Sequence, residues 1–491
     1  MTTPTRTDLL EPTTWAGKIF SNGWRDATVT APVVEPATGA ELGRIGIATV
    51  DDLTAATRSA AASQRDWAAQ PFHERAAVLR RAGDLFQQYA SDIQHWLIRE
   101  TGSVPAKAAV ETDAAAQECF EAAALASTPM GVLLPTEYDR LSMTRRVPVG
   151  TVGVIAPFNF PLILSIRSVA PALALGNAVV LKPDSRTAVS GGVALARIFE
   201  AAGLPEGVLH VLPGGADIGE ALVTDPLVPV ISFTGSTAVG RRVGELAARH
   251  LKRAHLELGG NSALIVLEDA DLDAAAGLGA WGSFLHSGQI CMATGRHLVH
   301  ESLVDDYIAL LAAKADALPV GDPATEQVAL GPVIDAGQRD KIHHLVTSTV
   351  DAGADLAAGG SYRELFYRPT VLTGVSPTMP AYAQEVFGPV APVLSFRTVD
   401  DAVRLAAADE YALSLGIVTA DAARGLALAD RIPTGIVHIN DQTVADEAVA
   451  PFGGFKASGT GSRFGGTAAN LEAFTETRWI TMQHRPATYP F

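Results

Sequence analysis

Three side chains of this 491-residue sequence form a reactive set when taken together. Cys291 stands in "HSGQICMATGR", Glu257 in "HLELGG" and Asn159 in "APFNFP". A thiol is a nucleophile, and a carboxylate at the end of an apolar strand becomes a working base when partial burial raises its pKa. A primary amide can donate to an oxyanion. Attack, charge stabilisation and activation of water are the steps such a set would perform. Each residue also has a plainer reading: Glu257 as a solvated carboxylate, Asn159 as an Asx-turn residue. The second of the two cysteines, Cys119, sits in the alanine-rich helical run "AAAQECFEAAALA" and reads as a small buried hydrophobe.

The elements that must position these residues alternate along the chain. From about residue 50 to 126 apolar residues recur at three- and four-residue spacing, as in "ERAAVLRRAGDLFQQYASDIQHWLIRETG", which closes on Gly102. Short apolar runs then alternate with helical ones: "TVGVIAP", "AVVLKP", "TAVSGGVALARIFEAAG", "VLHVLP", "PVISFTG", "TAVGRRVGELAARHL" and "AHLELGG". That order predicts βαβ units and a parallel sheet covered by helices. A second α/β series follows Cys291 and ends in "APFGGFKASGTGSRFGG" and the strand-like "RWITMQH". The fold class is therefore α/β, with two domains and the cysteine near their junction. "SFTGSTAVG" sets Gly235 and Gly240 between a strand and a helix, where backbone N–H groups favour phosphate, although the spacing differs from G-x-G-x-x-G. Lys182 ends the strand "AVVLK", a place suited to holding ribose hydroxyls or simply to solvation.

Composition removes several function classes. A chain of this length exceeds what one core supports, so two or more domains are expected. With 37 Lys+Arg against 53 Asp+Glu, the formal charge is −16, and no long basic run is present. Nucleic acid and anionic membrane surfaces are thus not expected partners. The start "MTTPTRTDLLEPTTW" lacks a signal-peptide pattern, and the most apolar region is broken by prolines, glycines and Arg167. Two cysteines cannot build a disulfide framework. A soluble cytoplasmic protein, with no metal site, is the expectation.

The motifs "PFNFP", "LKP", "FTGSTAVG", "LELGG", "GQIC", "EVFGPV" and "APFGGFKASG" occur in the order and spacing of the NAD(P)-dependent aldehyde dehydrogenase superfamily, which the chain resembles over nearly its whole length. "SGQICMATGRHLV", "SIRSVAPALALGNAVVLKPDS" and "HINDQTVADEAVAPFGGFKASG" are similar to the branch that oxidises benzaldehyde, vanillin and related aromatic aldehydes. The resemblance implies Cys291 as nucleophile, Asn159 with the Cys291 backbone N–H as oxyanion donors, and Glu257 as the base that hydrolyses a thioester. It implies NAD as cofactor, NADP being possible, held by Phe158, Lys182, Ser185, Gly235, Ser236, Gly240, Glu385 and Phe387. Phe160, Ile163, Leu164, Arg167, Leu285 and Ile290 would line the aldehyde pocket. The implied fold has a Rossmann-like cofactor domain (1–126 and 147–256), an α/β catalytic domain (257–455) and a small β extension (127–146 and 475–491) that joins a homodimer or a dimer of dimers.

The sequence departs from that family pattern at two positions. Arg463, in "SGTGSRFGG", stands where many relatives have a glutamate assigned to proton relay, so that role does not transfer. Ser185, followed by Arg186, replaces the glutamate that repels a 2′-phosphate, which predicts NAD as working cofactor with measurable use of NADP. Arg167 either meets a hydroxylated ring or forms a structural ion pair; as a carboxylate binder it would instead suit a semialdehyde dehydrogenase. Glu257 argues against a CoA-acylating relative, and the intact Cys291, Glu257 and Asn159 argue against a non-catalytic one.

Overall fold

In a computed structural model, residues 9–491 are described; the first eight residues of the N-terminal stretch read above for a targeting signal lie outside them. The helical half forms Val50–Ala69, Phe72–Gln88, Ala90–Thr101 and Pro105–Leu125. Thr49 and Asp52 close the first of these with reciprocal capping bonds, and Gly102 ends the third at φ 70°, where glycine carries no Cβ penalty.

The βαβ series makes a sheet ordered Arg253–Glu257, Val230–Thr234, Thr151–Ile155, Ala178–Lys182 and Leu209–Val211, all parallel. Two short antiparallel strands, Lys18–Phe20 and Trp24–Asp26, extend its edge; the sequence reading had left them out. Strand Thr151–Ile155 lies between strands that follow in opposite directions along the sheet. That reversal is the switch point at whose carboxyl ends α/β sheets bind ligands. The second series makes another seven-stranded sheet, whose centre is Ser262–Val266 beside Thr294–His300. Strands of both sheets are nearly uniformly buried, as helix-covered parallel strands must be.

A third element stands apart. Leu141–Pro148 pairs antiparallel with Thr475–Met482 over eight register positions, from Leu141 opposite Met482 to Pro148 opposite Thr475. The chain reaches this ribbon through a helix absent from the sequence reading, Thr467–Phe474, which carries Leu471 and Phe474 into the core around the first sheet. No helix among the described residues is long and apolar enough to cross a membrane.

Candidate active site

A cleft of about 320 Å³ opens at the carboxyl ends of the first sheet. Ile155 through Asn159, Lys182, Thr234 through Ser236 and Leu258 line it from four neighbouring strands, and Cys291, Glu385 and Phe387 face them from the second half of the chain.

The Cys291 loop is shaped by backbone conformation. The helix Leu272–Phe284 ends, and His286, Ser287 and Gly288 then take φ of 50°, 54° and 68° in succession. A side chain at Gly288 would meet the Gly388 carbonyl oxygen at 2.1 Å, so only glycine serves there. This turn aims Gln289, Ile290 and Cys291 back toward the first sheet. Gln289 is buried and held twice: its carbonyl accepts from Asn159 Nδ2 at 2.8 Å, and its Oε1 accepts from the Ile334 N–H at 2.9 Å. Thr443 Oγ1 donates to the Met292 carbonyl at 2.7 Å, fixing the other side. Burial, with the Glu385, Glu257 and Asp446 carboxylates nearby, pushes the Cys291 thiol up to about 12.

Asn159 precedes the helix Pro161–Ala174. The backbone polar groups around it are paired: the Asn159 carbonyl accepts from Lys107 Nζ at 2.9 Å, and Glu111 Oε1 accepts from the Leu162 and Ile163 N–H groups at 2.8 and 3.3 Å. Lys107 also pairs with Glu111 and lies 4.1 Å over the Phe160 ring. The buried ion pair thus caps the helix and pins the loop that carries the amide.

Glu257 ends its strand 3% exposed, and neither carboxylate oxygen has a hydrogen-bond partner. Burial therefore raises its pKa well above the ordinary 4.5, against the pull of the Arg463 and Arg167 guanidinium groups. The loop after it approaches the Cys291 loop so closely that a Cβ on Gly260 would lie 2.2 Å from the Cys291 carbonyl oxygen. Glu385 Oε1 accepts from the Gly260 N–H at 2.9 Å, and burial pushes Glu385 up to about 7.

Most predicted residues meet at this cleft. Asn159, Phe158, Leu164, Lys182, Gly235, Ser236, Cys291, Glu385 and Phe387 line it, with Phe387 edge-on to Phe158 at 5.9 Å. Ser236 caps the helix Thr237–Arg249, accepting from the Val239 N–H, so its hydroxyl sits at the positive end of that helix. Phe160, Leu285 and Ile290 join Cys291, Met292, Leu413, Val444 and Phe452 in an apolar cluster around the thiol. Glu257, behind Leu258, is not part of the cleft lining, and three further expectations need correction. Gly240 is not at the cleft: a Cβ there would strike Leu258 Cδ2 at 2.1 Å, so the glycine lets its helix approach the strand end. Ser185 opens a short turn beside the cleft, while its neighbours Asp184 and Arg186 line it. Ile163 faces neither the cleft nor the cluster.

Arg167 is 3% exposed and paired with Glu118 and Asp446 at 3.1 and 2.5 Å, an ion pair that leaves its Nη1 without a partner. Sequence reasoning missed Asp184, Arg186, Gln338 and Lys341 at the cleft. Arg186 bridges Asp184 and Asp335 and lies 4.3 Å over the Phe158 ring. Its adjacency to Ser185 was the only signal available. Arg463 donates to the Gly454 and Ser462 carbonyls and lies over Phe455, with no acid hydrogen-bonded to it.

The cleft fits a dinucleotide: a helix N-terminus, a strand-end lysine and an edge-on aromatic pair surround open space, and an acid borders it beside Gly259, whose Cβ would lie 2.5 Å from Glu385 Oε2. Among the described residues, no cluster of three or more His, Cys, Asp or Glu is placed to hold a metal ion.

Residues 24–480 match the sequence profile of the Aldehyde dehydrogenase family. A vanillin dehydrogenase of an Amycolatopsis species is 70% identical over 98% of this chain and 99% of its own length. A benzaldehyde dehydrogenase [NAD(+)] of Pseudomonas putida is 50% identical over 97% of this chain and 98% of its own. Among solved structures, a salicylaldehyde dehydrogenase from Pseudomonas putida G7, complexed with salicylaldehyde, superposes with a TM-score of 0.93 at 35% identity, covering 97% of this chain and 99% of that one.

Proposed function

The chain belongs to the aldehyde dehydrogenase family, and from that premise we propose that it oxidises aromatic aldehydes of the benzaldehyde and vanillin type to carboxylic acids, with NAD as hydride acceptor. The observation that carries the chemistry is the close approach of the loop after Glu257 to the Cys291 loop, which sets the cleft-lining Cys291 near the unpartnered Glu257 carboxylate buried behind the cleft wall at Leu258.

With its pKa near 12, Cys291 rests as a thiol, so attack on the aldehyde carbon requires that its proton leave. Glu257, whose carboxylate no neighbour satisfies, is the acceptor at hand. Carbon–sulfur bond formation leaves a thiohemiacetal oxyanion. One Asn159 N–H is committed to Gln289, and the other remains for that oxygen, beside the Cys291 backbone N–H. When bound, NAD supplies the hydride acceptor that converts this adduct to a thioester; Lys182, Asp184, Ser236, Glu385 and Phe387 would hold it. Glu257 releases that first proton to solvent and then takes one from water as the water oxygen attacks the thioester carbon; the carboxylic acid leaves, and Glu257 returns the second proton to the departing thiolate to restore the thiol.

The apolar cluster of Phe160, Leu285, Ile290, Val444 and Phe452 around the thiol suits a flat ring. A semialdehyde is disfavoured because Arg167 already faces two carboxylates and retains no net positive charge for a third. The same reading gives residues 1–126 and 147–256 to cofactor binding, 257–455 to catalysis, and 127–146 with 475–491 to self-association. Exposed Leu133, Tyr138, Trp479 and Met482 on or beside the ribbon support a homodimer. A free catalytic thiol suits the reducing cytoplasm. Steady-state kcat/KM over benzaldehyde, vanillin, short aliphatic aldehydes and succinate semialdehyde, each with NAD and NADP, tests the proposal. The ring aldehydes with NAD should lead; succinate semialdehyde as best substrate would overturn the aromatic reading.

A further inference from the structure

We propose that Asp446, held in place by Arg167, reads a hydroxyl group on the substrate ring and makes the enzyme selective for hydroxylated aromatic aldehydes. The inference rests on the aromatic reading above and adds to it a residue and a substituent.

Arg167 projects from the helix that begins just after Asn159. Its Nε donates to Glu118 and its Nη2 to Asp446, yet its Nη1 is buried with no partner. A buried charged donor left unmet is costly, and such a group is retained where something else completes it. The guanidinium carbon lies 5.0 Å over the Phe452 ring, and Phe452 belongs to the apolar cluster that surrounds Cys291. Arg167 and Asp446 thus lie against the Phe452 side of the cluster, close enough that both charges act on Cys291.

The two carboxylates of the triad are not equivalent. The Glu118 side chain is 2% exposed, on the helix Pro105–Leu125, and sealed. The Asp446 side chain is 19% exposed. It follows Thr443 and Val444 in a segment tied to the nucleophile loop, since Thr443 donates to the Met292 carbonyl and Val444 joins the Cys291 cluster. Two carboxylates around one guanidinium leave acceptor capacity in excess and one donor spare. A phenol supplies the complement: its O–H donates to Asp446, and its oxygen accepts from Arg167 Nη1. An unsubstituted ring leaves both groups unmet, a methyl ether can only accept, and a carboxylate substituent is repelled.

The test compares kcat/KM with NAD for benzaldehyde, 3- and 4-hydroxybenzaldehyde and their methyl ethers, on the full-length enzyme and its Asp446→Asn and Asp446→Glu variants. The better hydroxy isomer should exceed its methyl ether by about tenfold or more, the scale of one charge-assisted hydrogen bond. In Asp446→Asn the ratio of that isomer to benzaldehyde should fall about tenfold, and Asp446→Glu should recover part of it. An unchanged ratio in Asp446→Asn overturns the proposal. Equal kcat/KM for hydroxy isomer and ether in the unaltered enzyme overturns it without any variant, so a folding defect in Asp446→Asn cannot shelter it. Benzaldehyde turnover with no hydroxyl preference sinks only this inference, whereas failure to oxidise any ring aldehyde sinks the aromatic reading as well.

Discussion

Cys291 and Cys119 share a chemistry and differ only in surroundings. Cys119 is fully buried in its helix with its pKa pushed far up, whereas Cys291 reaches the cleft. Cys291→Ala should therefore abolish aldehyde oxidation while NAD still binds, seen as fluorescence quenching, and Cys119→Ala should leave kcat almost unchanged. Glu257→Gln keeps the shape and removes the proposed base. Rapid mixing should then give up to one equivalent of reduced cofactor per site, followed by a slow phase; normal steady turnover would reassign the base. Asp184 lines the cleft beside Lys182 and engages Arg186. Asp184→Ala removes a charge that repels a 2′-phosphate and frees Arg186 to meet it, so the ratio of kcat/KM for NADP over NAD should rise roughly tenfold. An unchanged ratio would place cofactor choice elsewhere. The residues that sequence alone identified here sit at strand ends or in short motifs, where spacing is local. The ones it missed answer to distance in space: the Arg167 pair with Asp446 spans 279 residues, and no periodicity records it.

Elements explain why the local motifs work. Long runs such as Phe72–Gln88 and Pro105–Leu125 declare themselves by their apolar spacing. Lys18–Phe20, Trp24–Asp26 and Thr467–Phe474 are too short to repeat a pattern, and their form comes from what they pack against. The π-helical turn Val189–Val193, just past the cofactor-side turn, is an element of this second kind. Glu100 anchors it, accepting from the Val189 and Ser190 N–H groups at 2.9 and 2.7 Å and from the Ser190 hydroxyl. Burial outweighs those bonds and pushes Glu100 up to about 7. The folded chain thus keeps this proton to higher pH than the unfolded chain, which releases it near 4.5. Its contribution, about 3 kcal/mol for such a shift, is complete below pH 4.5 and lost as pH rises to about 7. Thermal melting of Glu100→Gln against the unaltered protein should show a smaller fall in Tm across that window. Parallel pH profiles would mean that Glu100 does not titrate there.

At the scale of the whole molecule, two largely parallel sheets meet at the cleft, and a ribbon built from Leu141–Pro148 and Thr475–Met482 stands to one side. Exposed Trp479 and Met482 on that ribbon make it the place to test the proposed self-association. Trp479→Lys combined with Met482→Lys should lower the sedimentation coefficient to that of a monomer, while unchanged sedimentation would move the interface elsewhere. The first sheet depends on the far end of the chain in another way. Phe464, Leu471 and Phe474 fill its core, and the Phe474 carbonyl accepts from Asn177 Nδ2 at 3.0 Å. During synthesis, then, every strand of that sheet leaves the ribosome long before the residues that finish its packing. Until those residues emerge, the nascent sheet stands with apolar surface bare and open to association with other chains.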